Sequence, residues 1–435
     1  MAYRIFLVLS ILASFLNNSF GQQNRAIPSE KPKLIVKIVV SQMRFDYINR
    51  YWDKFSEGGF KMLTNEGANC KNARYNYLLT QPYPGIATIS TGTNPAVHGI
   101  ISDKWYSRIN GQEIHAVNDD KTSTVGGSFF SGKASAKNLV TSTFGDELLL
   151  NNPNSKVIGI AIDAGSAILL TGHNATGIYW FDQEKGNFVS SNYFSENLPA
   201  WADTFNNKGF AKLYLEREWK AINPIQSYEE ADTAKVKSVE TKKRLSDKLK
   251  SLMGGIIGKP QPTNSFSKLT ESPYGNLITK DMAIAAIVGE ELGKDADTDL
   301  LCMTFSANRN IGQKFGPHSI EMEDTYLRLD KELAHFMEFL SLNIGKENVL
   351  VILTSDQGIA SSPEYLEKSK IPGGYFDPKK AMILLGSYLN AIYGQGAWVT
   401  AYHEKQIYLN RKLIEDSNLK LADFQQKVAD FMLEF

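Results

Sequence analysis

Cysteine is scarce in these 435 residues, and an excess of charge of either sign is missing. Cys70 and Cys302 lie far apart in sequence, too few for a disulfide-stapled scaffold. Both fall in predicted strands; an exported chain permits a bond between them, but two buried free thiols are the expectation. Lysine plus arginine total 47 and aspartate plus glutamate 47, which leaves no electrostatic case for nucleic acid. Histidine is limited to six residues. Beyond the amino terminus no apolar run approaches the roughly 18 residues that a membrane helix needs, and no internal repeat is visible.

What is present begins with an export signal. Arg4 precedes the apolar stretch from Ile5 to Leu16, and Ser19, Phe20 and Gly21 supply a cleavage-like end, so residues 1–21 read as a signal peptide. No Cys follows to take a lipid. The expectation is an exported protein, periplasmic or associated with the cell envelope, with no transmembrane span once the signal is removed.

An apolar content of 43% over this length can bury a large core. Buried strands are predicted at 33–40, 157–162, 300–305 and 349–354, each beside a helical segment. The clearest helix runs from about Ser319 to Asn343, with Leu329, Leu333, Phe336, Met337 and Leu340 on one face. Another covers roughly Thr279 to Leu292. This alternation predicts an α/β fold, a three-layer α/β/α sandwich around a mostly parallel sheet. Two stretches break the rhythm, 102–140 and 190–272, the second carrying the Gly- and Pro-bearing tract 254–262. They are read as insertions forming a cap over the carboxyl ends of the strands, where open α/β sheets bind ligands.

Four segments carry the chemistry. They are 38–47 (IVVSQMRFDY), 80–99 (TQPYPGIATISTGTNPAVHG), 305–317 (FSANRNIGQKFGP) and 354–358 (TSDQG). In order and spacing, and with connecting pieces such as 155–161, 179–182 and 272–276, the chain from Lys33 to Phe435 resembles the phosphate-irrepressible alkaline phosphatases. These belong to the type I phosphodiesterase and nucleotide pyrophosphatase group of the alkaline phosphatase superfamily.

The resemblance implies two zinc ions held by Asp and His at strand ends, a Thr nucleophile, and an Asn, a Lys and an Arg that hold the phosphoryl oxygens. Carried over position by position, the pattern is replaced almost throughout. Pro82 stands at the nucleophile and Asp103 at the phosphate-binding Asn. Asp163 and Gly165 stand at the Lys-x-Arg pair. The metal-ligand positions read Ser41, Arg309, Gln313, Asp356 and Gln357, of which Asp356 alone keeps its family identity. The family's last His ligand comes from a later segment, and this chain stops before it.

A single carboxylate flanked by Ser41, Gln313 and Gln357 is a poor zinc ligand set, so neither zinc ion is expected and no catalytic residue is assigned. An unpaired buried Asp356 would be costly, and Arg309 is expected to pair with it, with Asp103 or Asp163 as further partners. Thr80, Thr88 and Thr91 are weighed as substitute nucleophiles, His98 as a support for the loop, and His318 as part of a new metal site. Trp201, Phe205, Phe210, Tyr214 and Trp219 are read as core or, alternatively, as a contact surface.

The expectation is therefore a catalytically degenerate, C-terminally short member of the family. It would act as a non-catalytic binding or scaffold subunit with a protein partner in the cell envelope. The alternative is a zinc-dependent phosphatase or phosphodiesterase that hydrolyses phosphate esters from a rearranged site.

Overall fold

A computed structural model of the chain describes residues 31–229 and 266–434. The signal segment and the 254–262 tract lie outside them. Among the described residues the eleven strands are β1 (Leu34–Val40), β2 (Lys104–Ser107), β3 (Gln112–His115), β4 (Thr124–Val125), β5 (Val157–Ala161), β6 (Gly177–Asp182), β7 (Asn187–Ser191), β8 (Asp299–Phe305), β9 (Val349–Thr354), β10 (Val399–His403) and β11 (Gln406–Leu409). Seven form one sheet in the order β4-β7-β6-β5-β8-β1-β9, while β2-β3 and β10-β11 are separate antiparallel pairs. From β6 across to β9 the neighbours are parallel, and β7 turns back antiparallel on β6 and pairs with β4.

Strands β1, β5 and β8 are buried along their whole length. Alternation along them divides the interior into two cores. Leu34, Val36, Ile38 and Val40 of β1 meet one helical layer, with Ile158, Ile160, Leu301, Met303 and Phe305. Ile35 and Val39 meet the other, with Val157, Ala161, Leu300 and Cys302.

The helices used below are α1 (Pro82–Thr91), α2 (Phe144–Asn151), α3 (Ala164–Thr171), α4 (Ala200–Asn207), α5 (Phe210–Leu215), α6 (Tyr274–Gly289), α7 (Ala307–Phe315) and α8 (Ile320–Asn343). In α8 the Ser319 side chain accepts from the Met322 N–H, and Glu321 and Glu323 occupy the first turn, where the helix dipole favours acid. Helix α6 starts five residues before the expected Thr279. The fold class is α/β, a mixed sheet covered by helices on both faces, as expected.

One expectation needs correcting, that for Cys70, and the aromatic run finds its place. Phe205 of α4 and Tyr214 of α5 are buried in the core that also holds Met282 and Ile287 of α6. Trp201, Phe210 and Trp219 pack against the same core, which gives the aromatic run a structural role. Cys302 is buried in β8, but Cys70 is exposed outside any strand; both are free. The segment around Cys70 has the β-branched and apolar residues of a strand on neither side, which explains the error. Among the described residues no helix is long and apolar enough to cross a membrane.

Candidate functional site

Parallel neighbours bring their carboxyl ends together. The register pairs Val40 of β1 with Phe305 of β8, Val39 with Thr354 of β9, and Ala161 of β5 with Thr304. Ser41, Ser306, Asp163 and Asp356 therefore emerge side by side. Asp163 also caps α3, its carboxylate accepting from the Ser166 N–H at 2.9 Å. Pro82 opens α1 at the first helical position, where its missing N–H would have been unpaired in any case. Gly85 brings that first turn onto β9's end: a Cβ there would lie 2.0 Å from the Asp356 carbonyl oxygen.

Asp356 is fully buried. Its carboxylate accepts from Ser41 Oγ at 2.6 Å and from the Gln42 N–H at 2.9 Å. Gln42 reaches it from a left-handed backbone, φ 64°, a conformation a non-glycine residue holds only where its surroundings enforce it. Burial pushes the Asp356 carboxyl up to about 6, against the pull of Ser41, Gln42 and the more distant Arg309.

Arg309, from the first turn of α7, donates to Asp163 Oδ2 at 3.2 Å. The expected contact with Asp356 is not the one that forms. Ser41 and Gln42 already hold that carboxylate, and Asp163 presents its outer oxygen to the guanidinium. Burial opposes ionisation of Asp163, yet Arg309 and the Ser166 N–H hold it below the ordinary carboxylate range. For Arg309 itself, burial is outweighed by Asp163, Tyr83, Asp356 and Asp103, so it stays protonated.

Asp103 accepts from the Tyr83 N–H at 2.9 Å, and burial pushes its carboxyl up to about 6. The Tyr83 ring lies on Gly165: a Cβ there would sit 2.2 Å from Cζ. Burial, then Asp163, raise the Tyr83 phenol well above its usual range. Sequence reasoning missed Tyr83. The available signal was an aromatic next to Pro82 opposite a glycine where the family pattern has the long side chain of Arg.

The remaining candidates separate. Gln313 is exposed on α7 and Gln357 half-buried. Thr80 is exposed. Thr91 Oγ1 donates to the Ala87 carbonyl at 2.7 Å. The Ile100 N–H donates to His98 Nδ1 at 3.2 Å, so the ring proton sits on Nε2 and points at Thr88 Oγ1, 3.1 Å away. His98 is thus a donor to Thr88 and not its base, and burial lowers its pKa to about 4. His98 steadies the loop, as expected. His318 stacks on Tyr365 at 3.6 Å between Arg50, 2.8 Å from Nδ1, and Arg44; a metal ion there would meet two guanidinium groups.

The zinc pair that the family implies does not fit these residues. Asp356 uses both oxygens on internal donors, and the nearest charged neighbours of the centre include a guanidinium. Among the described residues no three His, Cys, Asp or Glu side chains are placed to hold a metal ion. A hollow of about 550 Å³ opens elsewhere, between Thr124 of β4 and Asp203 of α4; its charged lining residues are Glu196 and Asp203, both unsuited to an anion.

Comparison with known proteins supplies the context. The profile described as type I phosphodiesterase / nucleotide pyrophosphatase matches residues 35–432. The alkaline phosphatase PafA of Elizabethkingia meningoseptica is 36% identical over 424 residues, 94% of this chain and 74% of that protein. The alkaline phosphatase PhoV of Synechococcus elongatus is 38% identical over 373 residues, 84% of this chain and 67% of that protein. The crystal structure of wild-type PafA superposes with a TM-score of 0.80 at 35% identity, covering 92% of this chain and 77% of that one. These relatives are named as enzymes, and they overturn the expectation of a non-catalytic binding or scaffold subunit. That expectation treated the loss of family side chains as the loss of all chemistry, without allowing for the groups that replaced them.

Proposed function

The chain belongs to the type I phosphodiesterase / nucleotide pyrophosphatase family, and we propose that it is an exported phosphoric ester hydrolase of the alkaline phosphatase type working from a rearranged site. The relatives' names support the reaction class, and the signal-like residues 1–21 support export. The observation that carries the reading is the Ser41–Asp356 contact of 2.6 Å at the carboxyl ends of the parallel strands. A hydroxyl in hydrogen-bond contact with a carboxylate near neutral pKa is a nucleophile with its base.

In this reading Ser41 Oγ attacks phosphorus as its proton passes to Asp356 Oδ2. The P–O bond to the ester breaks, and the leaving oxygen takes the proton back from Asp356. The carboxylate then takes a proton from water, whose oxygen attacks the phosphoserine; the P–O bond to Ser41 breaks, Asp356 returns the proton to the departing Ser41 Oγ, and phosphate is released. Arg309 contributes positive charge towards the phosphoryl oxygens. Ser41 and Asp356 are both fully buried. The first turn of α1 packs against them, Gly85 lying directly on the Asp356 backbone.

The test is turnover of an aryl phosphate and a bis-aryl phosphodiester by the purified protein. Ser41→Ala and Asp356→Asn are each expected to lower kcat by about 10²-fold or more, and Thr80→Ala to leave it unchanged. Absence of turnover in the unmodified protein, or turnover indifferent to both variants, overturns the reading.

A further inference from the structure

The family implies cations at this centre, while the chain brings its own. We propose that the Arg309 guanidinium is the resident cation of the strand-end centre, and that the centre takes no divalent metal.

Three observations lead there. First, the exchanges are reciprocal. Arg309 replaces an acidic family position, Asp163 replaces a basic one, and the two meet at 3.2 Å with side chains 12% and 19% exposed. Either exchange alone would leave a nearly buried charge without its counterpart. Second, the space is filled. Gly165 removes a long side chain, and the Tyr83 ring occupies the surface it exposes. Third, the one retained ligand position is engaged, since Asp356 accepts from Ser41 Oγ and the Gln42 N–H on separate oxygens. A divalent ion at Asp356 would have to strip both donors and sit in the field of a fixed positive charge. A ligand set of one carboxylate with neutral oxygens offers too little in return.

This inference stands apart from the hydrolase reading, and its test does not depend on activity. Protein purified without chelator is analysed for metal, and its melting temperature is followed as zinc is added. No stoichiometric zinc and no stabilisation by zinc are expected, because a ligand bound to the native state must raise the melting temperature. Stoichiometric zinc that disappears in Asp356→Asn overturns the inference.

A thermodynamic cycle supplies the second arm. Arg309→Met is expected to lower the melting temperature by about 2–5 °C, and Asp163→Asn, which can still cap α3, to restore part of that loss in the double variant. Strictly additive losses overturn the pairing. If Arg309→Met does not fold, Arg309→Lys provides the measurement: melting close to the unmodified protein supports a charge role, and a loss equal to that of Arg309→Gln contradicts it. Zinc together with turnover would remove this inference and leave the hydrolase standing; neither zinc nor turnover would do the reverse.

Discussion

Two buried carboxylates in this molecule have opposite fates. Asp146, at the start of α2, accepts from the Thr143, His173 and Asn174 N–H groups and contacts His173 Nδ1 at 2.8 Å. Burial works against its charge, but these four contacts win, and its pKa falls to about 2. Asp356 sits at 0% exposure with neutral donors, and there burial wins, raising its pKa to about 6. Asp146 is a knot that fastens α2 to the chain after α3. Asp356 is held in a state that disfavours its own charge, a condition typical of a group kept for chemistry.

Breaking the first site should have the largest effect. Asp146→Ala leaves several buried donors unmet and is expected to cost about 3–5 kcal/mol in chemical denaturation. A loss under about 1 kcal/mol would mean that the knot is ornamental.

The second site should respond with the opposite sign. A carboxyl whose folded pKa lies above its unfolded value is penalised as it ionises, so the penalty is absent below about pH 4, develops between 4 and 6, and is complete above 6. Asp356→Asn is therefore expected to stabilise the protein by about 1–2 kcal/mol at pH 8 and to give no gain at pH 4, while removing turnover. Denaturation curves at the two pH values measure this, and destabilisation at pH 8 would contradict it.

The smallest effect sharpens the comparison. The Asp146 contact raises the His173 pKa, outweighing burial, so the stabilisation is complete below its unfolded value near 6.5 and fades as pH rises through the folded value. His173→Gln should cost about 1 kcal/mol near pH 6 and less near pH 9, read from denaturation midpoints. A pH-independent cost would assign the effect to packing.

Much of the frame was legible because it rests on local rules. Ser319 followed by acidic residues and a 3.6-residue apolar period marks the start and buried face of α8. The β-branched run ending at Val40 marks a central strand, since in a parallel sheet both faces are covered. The strand-end residues were also legible as a set: Ser41, Asp163 and Asp356 do come together. Their pairing was not. Which carboxylate Arg309 reaches depends on which oxygens are already taken, and the claim of Ser41 and Gln42 on Asp356 arises from a left-handed turn with no sequence signature. Whether Phe205 and Tyr214 serve the core or a contact surface was open for a similar reason, because an amphipathic face does not say which surface it covers.

The central claim is that side-chain charge replaces metal at the strand ends. Diffraction data collected at the zinc absorption edge, from crystals grown with excess zinc, test it most directly. The account predicts the Arg309–Asp163 pair intact and no anomalous peak beside Asp356; a peak coordinated by Asp356, with Arg309 displaced from Asp163, would contradict it.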